Sequence, residues 1–145
     1  MRTQEELYDL FAQKGIPVYH ADAVQAPAVT LCARDRYAVF LNPEYLQDSS
    51  FENGVLAHEM GHIVTGATHR VDSPADLVER HEEQAERWAI RLMIPWRELE
   101  SAVRSGERTV WELAEHFNVP EKMVRKALDY YALRGYHFQF KGEAE

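Results

Sequence analysis

Apolar residues change period several times along this chain, and each change marks an element. Leu7, Leu10 and Phe11 recur at helical spacing between Thr3, which can cap a first turn, and Gly15, so a short amphipathic helix is predicted there. After "IPVYH" come the runs "AVTLCA" and "YAVFLN", rich in β-branched and aromatic residues and separated by the charged "RDR". They predict a hairpin turning around Asp35 and are the only firm strands in the pattern. Ser49-x-x-Glu52 has the form of a capping box, so a helix is expected from about Ser50 to Gly66. Val55, Leu56, Ile63 and Val64 make it a mostly buried one. Ser73-Pro74-Ala75-Asp76 puts proline at the first helical position and opens a long periodic segment that runs to Pro95. "WRELESAV" continues as a short helix, Thr109-x-x-Glu112 is a further capping box, and Pro120 opens "EKMVRKALDYYAL" after Asn118, a residue that tolerates a left-handed turn.

These elements predict an α+β fold that is mostly helical, with a small sheet beside a central helix. At 145 residues, 46% hydrophobic and 28% charged, the chain has the composition of a soluble globular protein. The net charge of -8 disfavours broad attraction to nucleic acid or anionic lipid, so any DNA role needs a local basic face. The polar start "MRTQEELYDLFAQKG" lacks the apolar run of a signal peptide, and no segment approaches the ~18 apolar residues of a membrane span. A cytoplasmic location is the expectation. The single Cys32 cannot form an internal disulfide, and its place in a strand predicts a small buried thiol.

The chemistry begins in "LAHEMGHIVTG", where His58 and His62 stand four apart with Glu59 directly after the first. On a helix, residues i and i+4 differ by about 40° of rotation and about 6 Å of rise, so two imidazoles can face one ion. Glu59, about 100° round from His58, is poorly placed as a ligand but well placed to take a proton from an activated water. Exposed histidines on an ordinary helix are the alternative.

A catalytic zinc normally has three protein ligands, so a third donor is needed. His69 falls one residue late for the third histidine of a metzincin-type loop, and one residue on a turn rotates a side chain away from the ion. The second scheme takes a carboxylate from the next helix. Val78, Ala85, Trp88, Ala89 and Leu92 form an apolar stripe; Glu82 lies within about 50° of its centre and His81 on the opposite flank, whereas Glu83 is about 150° away. Glu82 is therefore the inward carboxylate, either a metal ligand or the partner of an arginine. His81 can orient a ligand, polarise a carbonyl or fill space. Glu86, one turn beyond Glu82, can support a ligand histidine or stay exposed.

"LAHEMGH" followed by "EEQAERWAIRLMIP" resembles the ImmA/IrrE metallopeptidases, whose members carry HExxH and then a helix with a glutamate-x-x-alanine pattern ending in a leucine-rich run and proline. The resemblance extends upstream through the hairpin and downstream to the C-terminal helices. It implies a zincin-like metallopeptidase domain over residues 1–104 and helix-turn-helix-like helices and tail over residues 105–145. It also implies zinc, with manganese as the other candidate, held by His58, His62 and Glu82, with Glu59 as acid and base. Trp88 stands where phenylalanine is common, a harmless exchange; Gln84 stands where a second glutamate often precedes the alanine, which leaves Glu83 as the alternative ligand. The implied activity is cleavage of a helix-turn-helix repressor encoded nearby in a prophage, mobile element or stress operon. An extended substrate segment would add to the hairpin edge.

Leu113, Ala114, Phe117, Val119, Val124 and Leu128 have the spacing of a helix-turn-helix core, and the second of these helices carries Lys122, Arg125 and Lys126. Residues 107–145 nevertheless hold six basic against seven acidic side chains, thin for neutralising phosphates. The other readings to weigh are thus a DNA-binding regulator with a non-catalytic metal, and a partner that sequesters a repressor without cutting it.

Overall fold

The computed structural model describes residues 3–22, 24–66 and 74–138. Thr3 accepts the Glu6 N–H and starts α1 (Gln4–Gln13), which buries Leu7 and Phe11. Three strands follow, β1 (Val18–His20), β2 (Ala28–Ala33) and β3 (Arg36–Leu41), in the spatial order β1-β3-β2. β2 and β3 form the expected antiparallel hairpin. Its turn is the pair Arg34 and Asp35, with φ of 53° and 62°, the two consecutive left-handed residues that match the twist of a tight hairpin.

The third strand corrects the sequence expectation. β1 pairs parallel to β3, with Val18 opposite Val39 and His20 opposite Leu41. Three residues after Pro17 are too few to display an alternation, so this strand exists through its partner rather than its own pattern. Cys32 is also corrected, because it is exposed. β2 runs outward past the core toward the hairpin tip, so Leu31, Cys32 and Ala33 all face solvent whatever their parity.

α2 (Ser49–Thr65) begins one residue earlier than its capping box suggests. Asp48 is the cap: its carboxylate accepts the Phe51 N–H at 2.8 Å and the Ser50 hydroxyl at 2.7 Å, and the Phe51 bond first of all holds it below the usual carboxylate range. Glu52 is engaged elsewhere, accepting the Tyr8 hydroxyl at 2.5 Å and so tying α1 to α2. Burial, then that bond and charge, push the Tyr8 pKa above its ordinary value. α2 buries Leu56, Ala57, Met60, Gly61 and His62 and closes on Gly66, left-handed at φ 67°. Its last turn leaves the core, so Val64 is exposed, contrary to the expectation that it would help bury this helix.

α3 (Ala75–Met93) follows with Pro74 at its cap position and no side-chain cap bond; Ser73 lies outside the described residues. Then come α4 (Trp96–Arg104), α5 (Val110–Phe117) and α6 (Glu121–Leu133). Thr109 and Glu112 form the expected reciprocal capping box, and Asn118 makes the left-handed turn at φ 52°. Leu56 and Met60 of α2, Val39 and Leu41 of β3, Met93 of α3, and Phe117, Val119 and Val124 near the C-terminus share one buried cluster. The C-terminal helices are thus packed on the same core as the HExxH helix. Tyr131 of α6 donates its hydroxyl to the Ile94 carbonyl at 2.7 Å, and burial raises its pKa to about 12. No described helix is long and apolar enough to cross a membrane.

Candidate metal centre

α2 and α3 lie against each other at a glycine. An added Cβ on Gly61 would stand 2.3 Å from the Ala85 carbonyl oxygen, so the two backbones approach more closely than any side chain at that position permits. His58 lies one turn before Gly61 and Glu82 one turn before Ala85, so this contact sets how far the imidazoles stand from the carboxylate. His58 Nε2 is 2.7 Å from Glu82 Oε2, His62 Nε2 is 3.1 Å from Glu82 Oε1, and the two Nε2 atoms are 3.2 Å apart. The rings meet edge to face, with an interplanar angle of 83°.

The donor set fits a small divalent cation. Metal–nitrogen bonds of 2.0–2.1 Å at a tetrahedral angle place two nitrogens about 3.3 Å apart, close to the observed Nε2 separation. Two imidazole lone pairs and a carboxylate aimed at one point also repel unless a proton or cation lies among them. His58, His62 and Glu82 are the three residues grouped in this way among the described residues. Among the described residues Glu82 is paired with these two histidines and with no arginine. Its side chain is 46% exposed, so it faces an open cleft and not the core.

Glu59 is on the cleft side of the same helix. The Thr30 hydroxyl of β2 donates to its Oε2 at 2.5 Å, holding one carboxylate oxygen toward the sheet. Thr30 was not marked by the sequence pattern. The signal available was a lone hydroxyl in an otherwise apolar strand next to the zinc-type helix.

The other named residues are not brought to the triad. Glu83 faces solvent and pairs with Arg87 at 3.5 Å, as its angle on the helix requires, so it is no alternative ligand in this geometry. Glu86 does not support a histidine: it lies in the cleft wall and pairs with Lys126 Nζ at 2.6 Å. His81 is outside the group of three and does not line the cleft. His69 lies outside the described residues.

The cleft has a volume of about 480 Å³ and runs from His58, Glu59 and Glu82 to the start of α6. A family model for the IrrE N-terminal-like domain, peptidase M78, matches residues 11–129. The chain belongs to this family. Membership agrees with the mostly helical α+β fold and suggests a metallopeptidase, and His58, His62 and Glu82 form a group that could hold a metal ion. No curated protein and no solved structure matches the chain.

Proposed function

We propose that the chain is a zinc-dependent endopeptidase acting on a protein, and that its substrate is a helix-turn-helix repressor. The observation that carries the reading is the convergence of His58, His62 and Glu82 at one point, with Glu59 beside them on the wall of an open cleft. A divalent cation held by the triad supplies Lewis acidity to a peptide carbonyl and acidifies water. Glu59 then acts as general base, taking the proton of the attacking water, and as general acid, passing that proton to the leaving amine. Thr30 fixes one Glu59 oxygen, leaving the other to exchange the proton. β2 is an edge strand, so an extended substrate can pair with its open side while lying across the α2 histidines.

Two features weigh against a primary role in DNA binding. On α6, Lys126 is paired with Glu86 and Arg125 with Glu121, and Lys122 lines the cleft. That leaves little charge for phosphates. The repressor substrate follows from the family resemblance.

The test is to incubate zinc-loaded protein with a helix-turn-helix repressor from the same genome and look for a cut. Glu59→Gln should bind the repressor and leave it whole. Equal cutting by Glu59→Gln overturns the assigned base. Tight binding by both proteins with no cutting overturns the peptidase reading in favour of sequestration.

A further inference from the structure

The cleft has two unlike walls. One is the triad with Glu59; the other comes from α6 and the turn before it. Three contacts hold that second wall in place. Pro120 rests on Gly54, where an added Cβ would meet Pro120 Cδ at 3.1 Å; Asn53 donates its side-chain N–H to the Asn118 carbonyl at 2.9 Å; and Lys126 pairs with Glu86. Gly54 and Asn53 lie little more than a turn before His58. The start of α6 is therefore keyed to the helix that carries the histidines, and the cleft between them is preformed.

Its lining divides by chemistry. Phe51, Val55, Pro120 and Met123 form a half-buried apolar surface beside the reacting groups, the kind of surface that takes an apolar side chain. Every carboxylate in the lining is already engaged, Glu59 by Thr30, Glu82 by the histidines and Glu86 by Lys126. Lys122 is the exception among the charged groups. It is exposed, lines the cleft, and has no ion-pair partner among the described residues.

We propose that α6 completes the specificity site of this cleft: Met123 of α6 together with Phe51 and Val55 of α2 seats an apolar substrate side chain, and Lys122 of α6 recognises an acidic side chain close to it in sequence. The proposal rests on the peptidase reading for its location, but recognition can be measured without cleavage. An ammonium with no carboxylate partner, at the mouth of a cleft where Glu86 is paired with Lys126 and Glu82 faces the imidazoles, favours substrate carboxylate over ammonium. Lys126 stands one turn further along α6, and its pairing with Glu86 leaves Lys122 as the single free cation among the residues lining the cleft.

The test uses zinc-loaded Glu59→Gln protein and fluorescein-labelled, C-terminally amidated peptides with a central leucine flanked by Glu, Ser or Lys, read by anisotropy. The Glu peptides should bind about threefold more tightly than the Ser peptides, the scale of one exposed ion pair. Lys122→Ala should erase that preference, and Lys122→Glu should reverse it in favour of Lys peptides. Circular dichroism melts identical to the parent would show that both variants fold. Equal binding of all peptides by the parent, or a preference untouched by Lys122→Glu, overturns the proposal. Non-amidated peptides lacking acidic residues that bind as well as the Glu set would show that the lysine reads a chain terminus, which overturns the side-chain assignment. A labelled DNA duplex whose binding alone depends on Lys122 would overturn it as well. The same peptides given to zinc-loaded parent separate the two claims. A Lys122-dependent preference with the repressor also left uncut upholds this wall and sinks the endopeptidase, whereas cleavage indifferent to Lys122 does the reverse.

Discussion

Gly61→Ala tests whether the contact between α2 and α3 sets the metal site. By helix propensity alone the change should help, because alanine within a helix is favoured over glycine by about 1 kcal/mol. The structure predicts the opposite sign. The new methyl would lie 2.3 Å from the Ala85 carbonyl oxygen, where ordinary carbon–oxygen contacts need about 3.3 Å, so the helices must part by about 1 Å. The obstacle is backbone and cannot rotate away. Overpacking of this kind costs about 3 kcal/mol, which leaves a net loss of about 2 kcal/mol after the propensity gain. For a chain of this size that lowers the melting temperature by roughly 4–8 °C. The same displacement carries Glu82 away from His58 and His62, and zinc affinity should fall on the order of tenfold to a hundredfold. Urea unfolding of parent and variant, each with chelator and with zinc, reads both effects, because bound metal adds stability in proportion to the logarithm of its occupancy ratio. A Gly61→Ala protein at least as stable as the parent, with the same zinc-dependent gain, would refute the reasoning.

Further outcomes follow from the same geometry. Glu82→Gln should lose more zinc affinity, by calorimetry, than the roughly 10–100-fold seen when a residue that only supports a ligand is changed, while Glu83→Gln binds like the parent; the reverse pattern would move the third ligand to Glu83. Thr30→Val should lower kcat about tenfold with KM unchanged and Thr30→Ser should restore it, since the hydroxyl only orients Glu59; a change confined to KM would assign Thr30 to substrate binding. Tyr131 has its pKa raised to about 12, so the unfolded chain loses this proton first as pH rises. Its contribution is therefore full below about pH 10 and is lost between about pH 10 and 12, worth about 3 kcal/mol for two pH units. Urea midpoints across that range should fall more steeply for the parent than for Tyr131→Phe, and parallel slopes would contradict the assignment.

Much of the site was legible because its chemistry is local. His58, Glu59 and His62 sit on one helix whose period fixes their directions, and the angle of Glu82 on the next helix separated it from Glu83 before any contact was known. What escaped depends on contacts between elements distant in sequence. β1 is a strand only because β3 accepts it, and Cys32 is exposed because the hairpin outruns the core. Glu86 found Lys126, forty residues away, instead of a histidine, and Thr30 reached Glu59 across the space between sheet and helix. The nearest hint of the α2–α3 approach was an isolated glycine inside a helical pattern, which often has a packing reason. Capping boxes divided in an instructive way: Thr109 and Glu112 form theirs, whereas Glu52 bonds Tyr8 and the cap moves to Asp48.

The central claim is that one divalent cation is held by two imidazoles and the Glu82 carboxylate. Anomalous diffraction at the zinc edge from crystals grown with zinc measures it directly. A single strong peak is expected about 2.0–2.1 Å from Nε2 of His58, Nε2 of His62 and an oxygen of Glu82. No peak between these side chains in crystals that take up zinc elsewhere, or a peak whose third protein donor is not Glu82, would contradict the account.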